Sequence, residues 1–172
     1  ALAYSLSLLV MRYAVLSTMG EAAAGLLQSA FALAYSINLV LNPTNGLYLA
    51  PIMNRNIAPE RKLATALNFQ RQLSAILLLV SAPILLFPKT LILVLFSLRF
   101  VDAGQWVFLF VMAQILTQIA GTYGALLIGV DRLWTYTLIN CTGFLVAALA
   151  AWLLVPGLGI AGAGIGLLAG SA

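Results

Sequence analysis

The apolar and polar positions of this chain alternate on a long scale, with uncharged runs divided by short polar breaks. No charged residue occurs from Ala22 to Asn54, from Gln72 to Pro88, from Ala103 to Val130 or from Leu133 to Val155. A hydrocarbon core about 30 Å thick takes roughly 20 helical residues, so runs of this length read as membrane spans. The pattern predicts spans over 1–19, 22–50, 62–87, 103–130, 133–155 and 160–172, with the last cut short. The expected fold class is an all-α membrane protein, a bundle of about six transmembrane helices.

The breaks carry turn chemistry. Met19-Gly20-Glu21 reverses the chain after span one, Asp131-Arg132 ends span four, and Pro156-Gly157-Leu158-Gly159 leads into span six. Pro59 suits a first helical position and Glu60 a first turn, so a helix is expected to start near Ala58. Pro43 and Pro83 each remove a backbone donor and predict kinks, and Pro88-Lys89 predicts a helix end or a second bend. Leu91 to Phe100 is apolar but short, bounded by Arg99 and Asp102, and reads as a re-entrant or interfacial tail. The first residue is not Met and the last residues lie inside an apolar run, so the expectation is a chain cut at both ends.

Composition excludes a soluble domain: 63% of residues are hydrophobic, 7% are charged and the mean hydropathy is +1.10, against about 25% charged residues in an average soluble domain. The net charge of +4 comes from basic residues beside apolar spans, which points to anionic lipid as partner and not to nucleic acid. Arg55, Arg61, Lys62 and Arg71 cluster between spans two and three and are expected at the membrane surface, holding headgroups. Alternating spans place these four and Arg132 on one side, against Lys89 and Arg99 on the other, and the positive-inside rule makes the first side cytoplasmic. Cys141 lies alone in an apolar run and is expected to pack as a small apolar side chain. There is no His, the commonest proton relay and metal ligand, and no cofactor is implied.

Candidate binding chemistry lies within the spans. Arg12 sits inside span one, about 10 Å below its far end at 1.5 Å per residue. An intramembrane arginine is by default a functional candidate, and its planar fork can hold phosphate oxygens in pairs; the other reading is a side chain that snorkels to headgroups. Gln28, Tyr35, Asn38 and Asn42 recur at offsets of seven, ten and fourteen, within one helical face about 80° wide. That stripe reads either as a cavity wall for hydroxylated ligands or as interhelical bonding. Gln114 and Gln118 share a face of span four with the same two readings, beside a small-residue ridge of Thr117, Gly121 and Gly124.

Several ordered stretches resemble a known family. Asn42-Pro43 followed by Leu49-Ala50-Pro51-Ile52-Met53-Asn54-Arg55 resembles the Pro-x-x-x-Arg junction of bacterial polysaccharide, or O-antigen, flippases. Leu95 to Phe100 followed by Ala103-Gly104, Leu127 to Arg132, and Val155 to Ala163 are similar to the turns before and after their later spans. The resemblance covers essentially the whole chain and implies the multidrug, oligosaccharidyl-lipid and polysaccharide exporter superfamily. Members of that superfamily have two lobes of about six spans each, so the chain would be the C-terminal lobe. The resemblance also implies a multi-pass protein of the bacterial inner membrane that is not an enzyme. Such a protein would flip an undecaprenyl-diphosphate-linked oligosaccharide by alternating access, for O-antigen or a related surface polysaccharide. The implied partners are that polyprenyl-diphosphate-linked glycan, membrane lipids and the N-terminal lobe of the same protein. A drug or cation antiporter of the same superfamily is the alternative, and would be expected to place an acid inside a span. Glu21, Glu60, Asp102 and Asp131 all fall at span ends or in loops. A membrane-embedded polymerase or glycosyltransferase would need catalytic carboxylates or bases in sizeable loops, and the longest loop holds one acid, Glu60.

Overall fold

A computed structural model describes residues 2–54 and 57–171. These fold as α1 (Leu2–Met19), α2 (Glu21–Met53), α3 (Pro59–Leu86), α4 (Pro88–Leu95), a 3-10 segment (Leu98–Gln105), α5 (Val107–Gly129), α6 (Leu133–Leu158) and α7 (Ile160–Ser171), with no strand among the described residues. The chain is therefore all-helical. Four stretches are long and apolar enough to cross a membrane: Glu21–Asn42, Glu60–Leu86, Val107–Gly129 and Leu133–Leu158. At 1.5 Å per residue the 12 residues of α7 reach about 18 Å, short of a 30 Å core, while the 18 of α1 reach about 27 Å, at the lower end of the roughly 17–25 residues that a spanning helix takes. Large apolar side chains face outward: Leu79 is 77% exposed, Leu153 74% and Trp134 81%. A soluble monomer does not turn so many large apolar side chains outward, and hydrocarbon is the solvent that suits them.

Local chemistry accounts for the boundaries. Ala58 precedes α3, with Pro59 in its first turn beside Glu60, as the sequence predicts. Pro83 lies inside α3 near its end, Phe87 donates its N–H to the Pro83 carbonyl, and Pro88 then starts α4. The chain reverses at Gly20 (φ 83°) and Gly159 (φ 60°), conformations that a side chain would strain. α6 runs through Pro156 to Leu158, so the turn expected over 156–159 narrows to Gly159 alone. The backbone stays helical across Pro43, whose side chain lies outside the described residues. Leu91–Phe100 resolves into the end of α4 and the start of the 3-10 segment. The Phe100 ring covers Gly25 of α2.

The core lies where α1, α2, α3 and α5 meet. Val15, Ala30, Ala34, Ile37, Leu41, Leu73, Val107, Phe110 and Val111 are all fully buried. In lipid this contact is held by close packing and not by the expulsion of water, and the alanines of α2 permit the close approach. α6 runs parallel to α1, joined by Tyr4 against Phe144 (5.5 Å) and Tyr13 stacked on Trp152 (6.2 Å, 6° between planes). α7 returns along α6 on Gly162, Gly166 and Gly170; a Cβ on Gly166 would stand 2.7 Å from Ala151 N. Of the ridge expected on α5, Gly124 packs against Tyr136 and the Thr117 hydroxyl meets Ser171 at 3.1 Å, whereas Gly121 faces open space. Cys141, expected to pack, is exposed on α6.

The ends of the helices sort to two sides. Gly129 abuts the Ile52 carbonyl, and the Lys62 Nζ donates to the Gly129 carbonyl at 2.5 Å, so the ends of α2 and α5 and the start of α3 meet. Opposite them, Met19 packs on Gly159 and Lys89 on Gly104. The basic stretch and Asp131-Arg132 thus share one side, in line with the alternation read from the sequence.

Candidate substrate hollow and amide clamp

Arg12 projects from the middle of α1, one helical turn after Leu8 and Leu9 and beside Met11. Across from it α2 presents Leu27, Gln28 and Phe31, and α5 presents Phe110. These side chains line an open-sided hollow of about 230 Å³. Phe31 meets Phe110 edge-on at 6.2 Å and stacks on Tyr35 at 5.7 Å, giving an aromatic floor that leads along α2 from Gln28 towards Tyr35. Arg12 and Gln28 are both exposed, and the remaining lining is apolar. Among the described lining residues none is acidic, so the guanidinium meets no carboxylate within the hollow. Its five N–H groups and the Gln28 amide offer an anionic, oxygen-rich ligand one charged fork and one hydrogen-bonding arm.

A second polar group forms deeper in the packing. Asn38 of α2 donates its Nδ2 to Gln114 Oε1 of α5 at 2.9 Å, and Gln118 Nε2 donates to Asn38 Oδ1. Asn38 and Gln114 are buried at 7% and 2% exposure, so these amides satisfy one another and clamp α2 and α5 together. Of the two readings open for the Asn38 stripe, interhelical bonding holds for Asn38, Gln114 and Gln118.

The candidate residues therefore divide. Arg12 and Gln28 share the hollow, and Tyr35 is exposed at the edge of its aromatic floor. Asn42 is exposed at a distance from it, two turns further along α2 than Tyr35. Arg61 and Arg71 are exposed, as expected of side chains that meet headgroups, while Arg55 lies outside the described residues. Lys62 departs from the expectation. It is 3% exposed and turns inward to cap the Gly129 carbonyl at the end of α5, where an unpaired helical carbonyl favours a cation. Sequence reasoning passed over Phe31, three residues from Gln28 and hence on its face, and Phe110, which only the packing brings in. No group of three or more His, Cys, Asp or Glu gathers among the described residues.

No protein family, curated protein or solved structure matches this chain. The functional reading therefore rests on the hollow, the clamp and the sequence motifs.

Proposed function

We propose that this chain is one six-helix lobe of a two-lobe flippase for an undecaprenyl-diphosphate-linked oligosaccharide in the bacterial inner membrane. The observation that carries the reading is Arg12, a cation inside a span that opens with Gln28 onto a hollow with no acidic lining among its described residues. A charged residue near the centre of a spanning helix costs about 2.5–3.5 kcal/mol, and a diphosphate held by the guanidinium fork would offset that cost. Flipping makes and breaks no bond. It requires a polar and cationic wall past which a diphosphate and its sugars can move while the polyprenyl tail stays in lipid. Arg12 holds the diphosphate, Gln28 bonds a sugar or phosphate oxygen, and the Phe31 and Tyr35 rings give sugar faces a surface. The second lobe supplies the opposite wall, and the two rock about the bound ligand to expose it to each side in turn.

Binding tests this directly in the full-length protein in nanodiscs, with native mass spectrometry reading the bound fraction of a short-chain polyprenyl-diphosphate disaccharide. A hydrogen bond to a charged group contributes about 1.5–3 kcal/mol, so Arg12→Ala weakens binding roughly 10- to 150-fold. Arg12→Lys keeps the charge without the fork and falls between. Equal binding by the wild type and Arg12→Ala would overturn the assignment.

A further inference from the structure

Two buried polar atoms stay unpaired in a part of the molecule that the proposed flipping does not use. Gln70 Oε1 on α3 and Thr122 Oγ1 on α5 are inaccessible to solvent and have no hydrogen-bond partner among the described residues. Thr122 is 2% exposed. Leaving such a group dry costs about 1–3 kcal/mol, so each calls for a partner.

Their positions bring them together. α3 and α5 run antiparallel from the bond between Lys62 Nζ and the Gly129 carbonyl. Gln70 lies eight residues along α3 from that bond and Thr122 seven residues back along α5, about 12 and 10 Å. Both therefore sit at about one height on two helices that pack together. Thr122 also continues the polar face of α5, at four-residue spacing from Gln114 and Gln118.

We infer that the seam between α3 and α5 binds water, held by Gln70 Oε1 and Thr122 Oγ1 one helical turn beyond the Asn38–Gln118 amide pair. The amide oxygen accepts only, whereas a water donates two hydrogens and can also accept from the threonine hydroxyl, so one molecule satisfies both atoms. A metal cation would require several more oxygens than these two neutral ones. The site stands on burial and hydrogen bonding and does not depend on the carrier reading.

The test is infrared detection of thiol exchange in the full-length protein, with Cys141→Ser to remove the native thiol. Thr122→Cys is close to isosteric and places an S–H at the site. Val111→Cys places one on the same helix at an apolar position that is equally buried, 0% exposed. After transfer to heavy water the S–H band of Thr122→Cys converts to S–D at least tenfold faster than that of Val111→Cys. Gln70→Cys behaves like Thr122→Cys and carries the test if the latter elutes as misfolded protein. Equal rates at positions 122 and 111, whether both slow or both fast, would overturn the site.

Discussion

Asn38→Leu isolates the clamp, because it removes both amide bonds while nearly keeping volume. Asn38 bonds Gln114 and Gln118, 76 and 80 residues further along the chain, so the change strips two contacts between α2 and α5 and leaves the Gln114 oxygen without its Asn38 donor. Interhelical hydrogen bonds in membrane proteins contribute on average about 0.6 kcal/mol and at most about 1.7. Two such bonds give about 1–3 kcal/mol. Reversible unfolding of the full-length protein in mixed micelles, followed by the fluorescence of its tryptophans, measures that loss. The double variant Asn38→Leu, Gln114→Leu leaves neither end of their bond unpaired and recovers part of the stability, since replacing both partners of a buried bond is close to neutral. The sign of the difference decides the matter. A double variant less stable than the single one, or a single variant as stable as the wild type, would refute the clamp.

Lys62→Met keeps the length of the side chain and removes the bond to Gly129; it should cost about 1–2 kcal/mol in the same unfolding assay, less than a full charged bond because a buried ammonium is no longer desolvated. A stabilised variant would show that desolvation outweighs the cap. Gly166→Ala drives a methyl into the α6 backbone and should cost about 1–3 kcal/mol as overpacking. Gly121→Ala meets nothing within 4 Å, so helix propensity makes it neutral or stabilising by up to about 1 kcal/mol; equal costs at the two glycines would contradict the packing of α7 on α6.

Helix boundaries were legible wherever one residue dictates the backbone. Pro59 and Glu60 start α3, Pro88 starts α4, and Gly20 and Gly159 take positive φ at the two sharp reversals. These are local constraints, and the sequence states local constraints openly. The site was legible only in part. Gln28, Tyr35, Asn38 and Asn42 do share a face of α2, but periodicity does not say which neighbour covers which stretch of it. α5 crosses at Asn38 and buries it, and leaves Gln28 and Tyr35 uncovered. Lys62 shows the same limit. A lysine between two exposed basic residues reads as a surface charge, yet the Gly129 carbonyl at the end of α5 turns it inward. Helix register and crossing point are properties of pairs of segments far apart in sequence, and no window along one segment contains them.

Transport itself tests the central claim, that Arg12 holds an anionic glycolipid inside the membrane. Full-length protein is reconstituted into proteoliposomes with a labelled polyprenyl-diphosphate disaccharide, and the fraction reaching the outer leaflet is read by a glycan-modifying enzyme added outside. Arg12→Ala should abolish flipping while eluting as folded protein, and Arg12→Lys should retain a measurable rate. Flipping by Arg12→Ala at the wild-type rate would contradict the account.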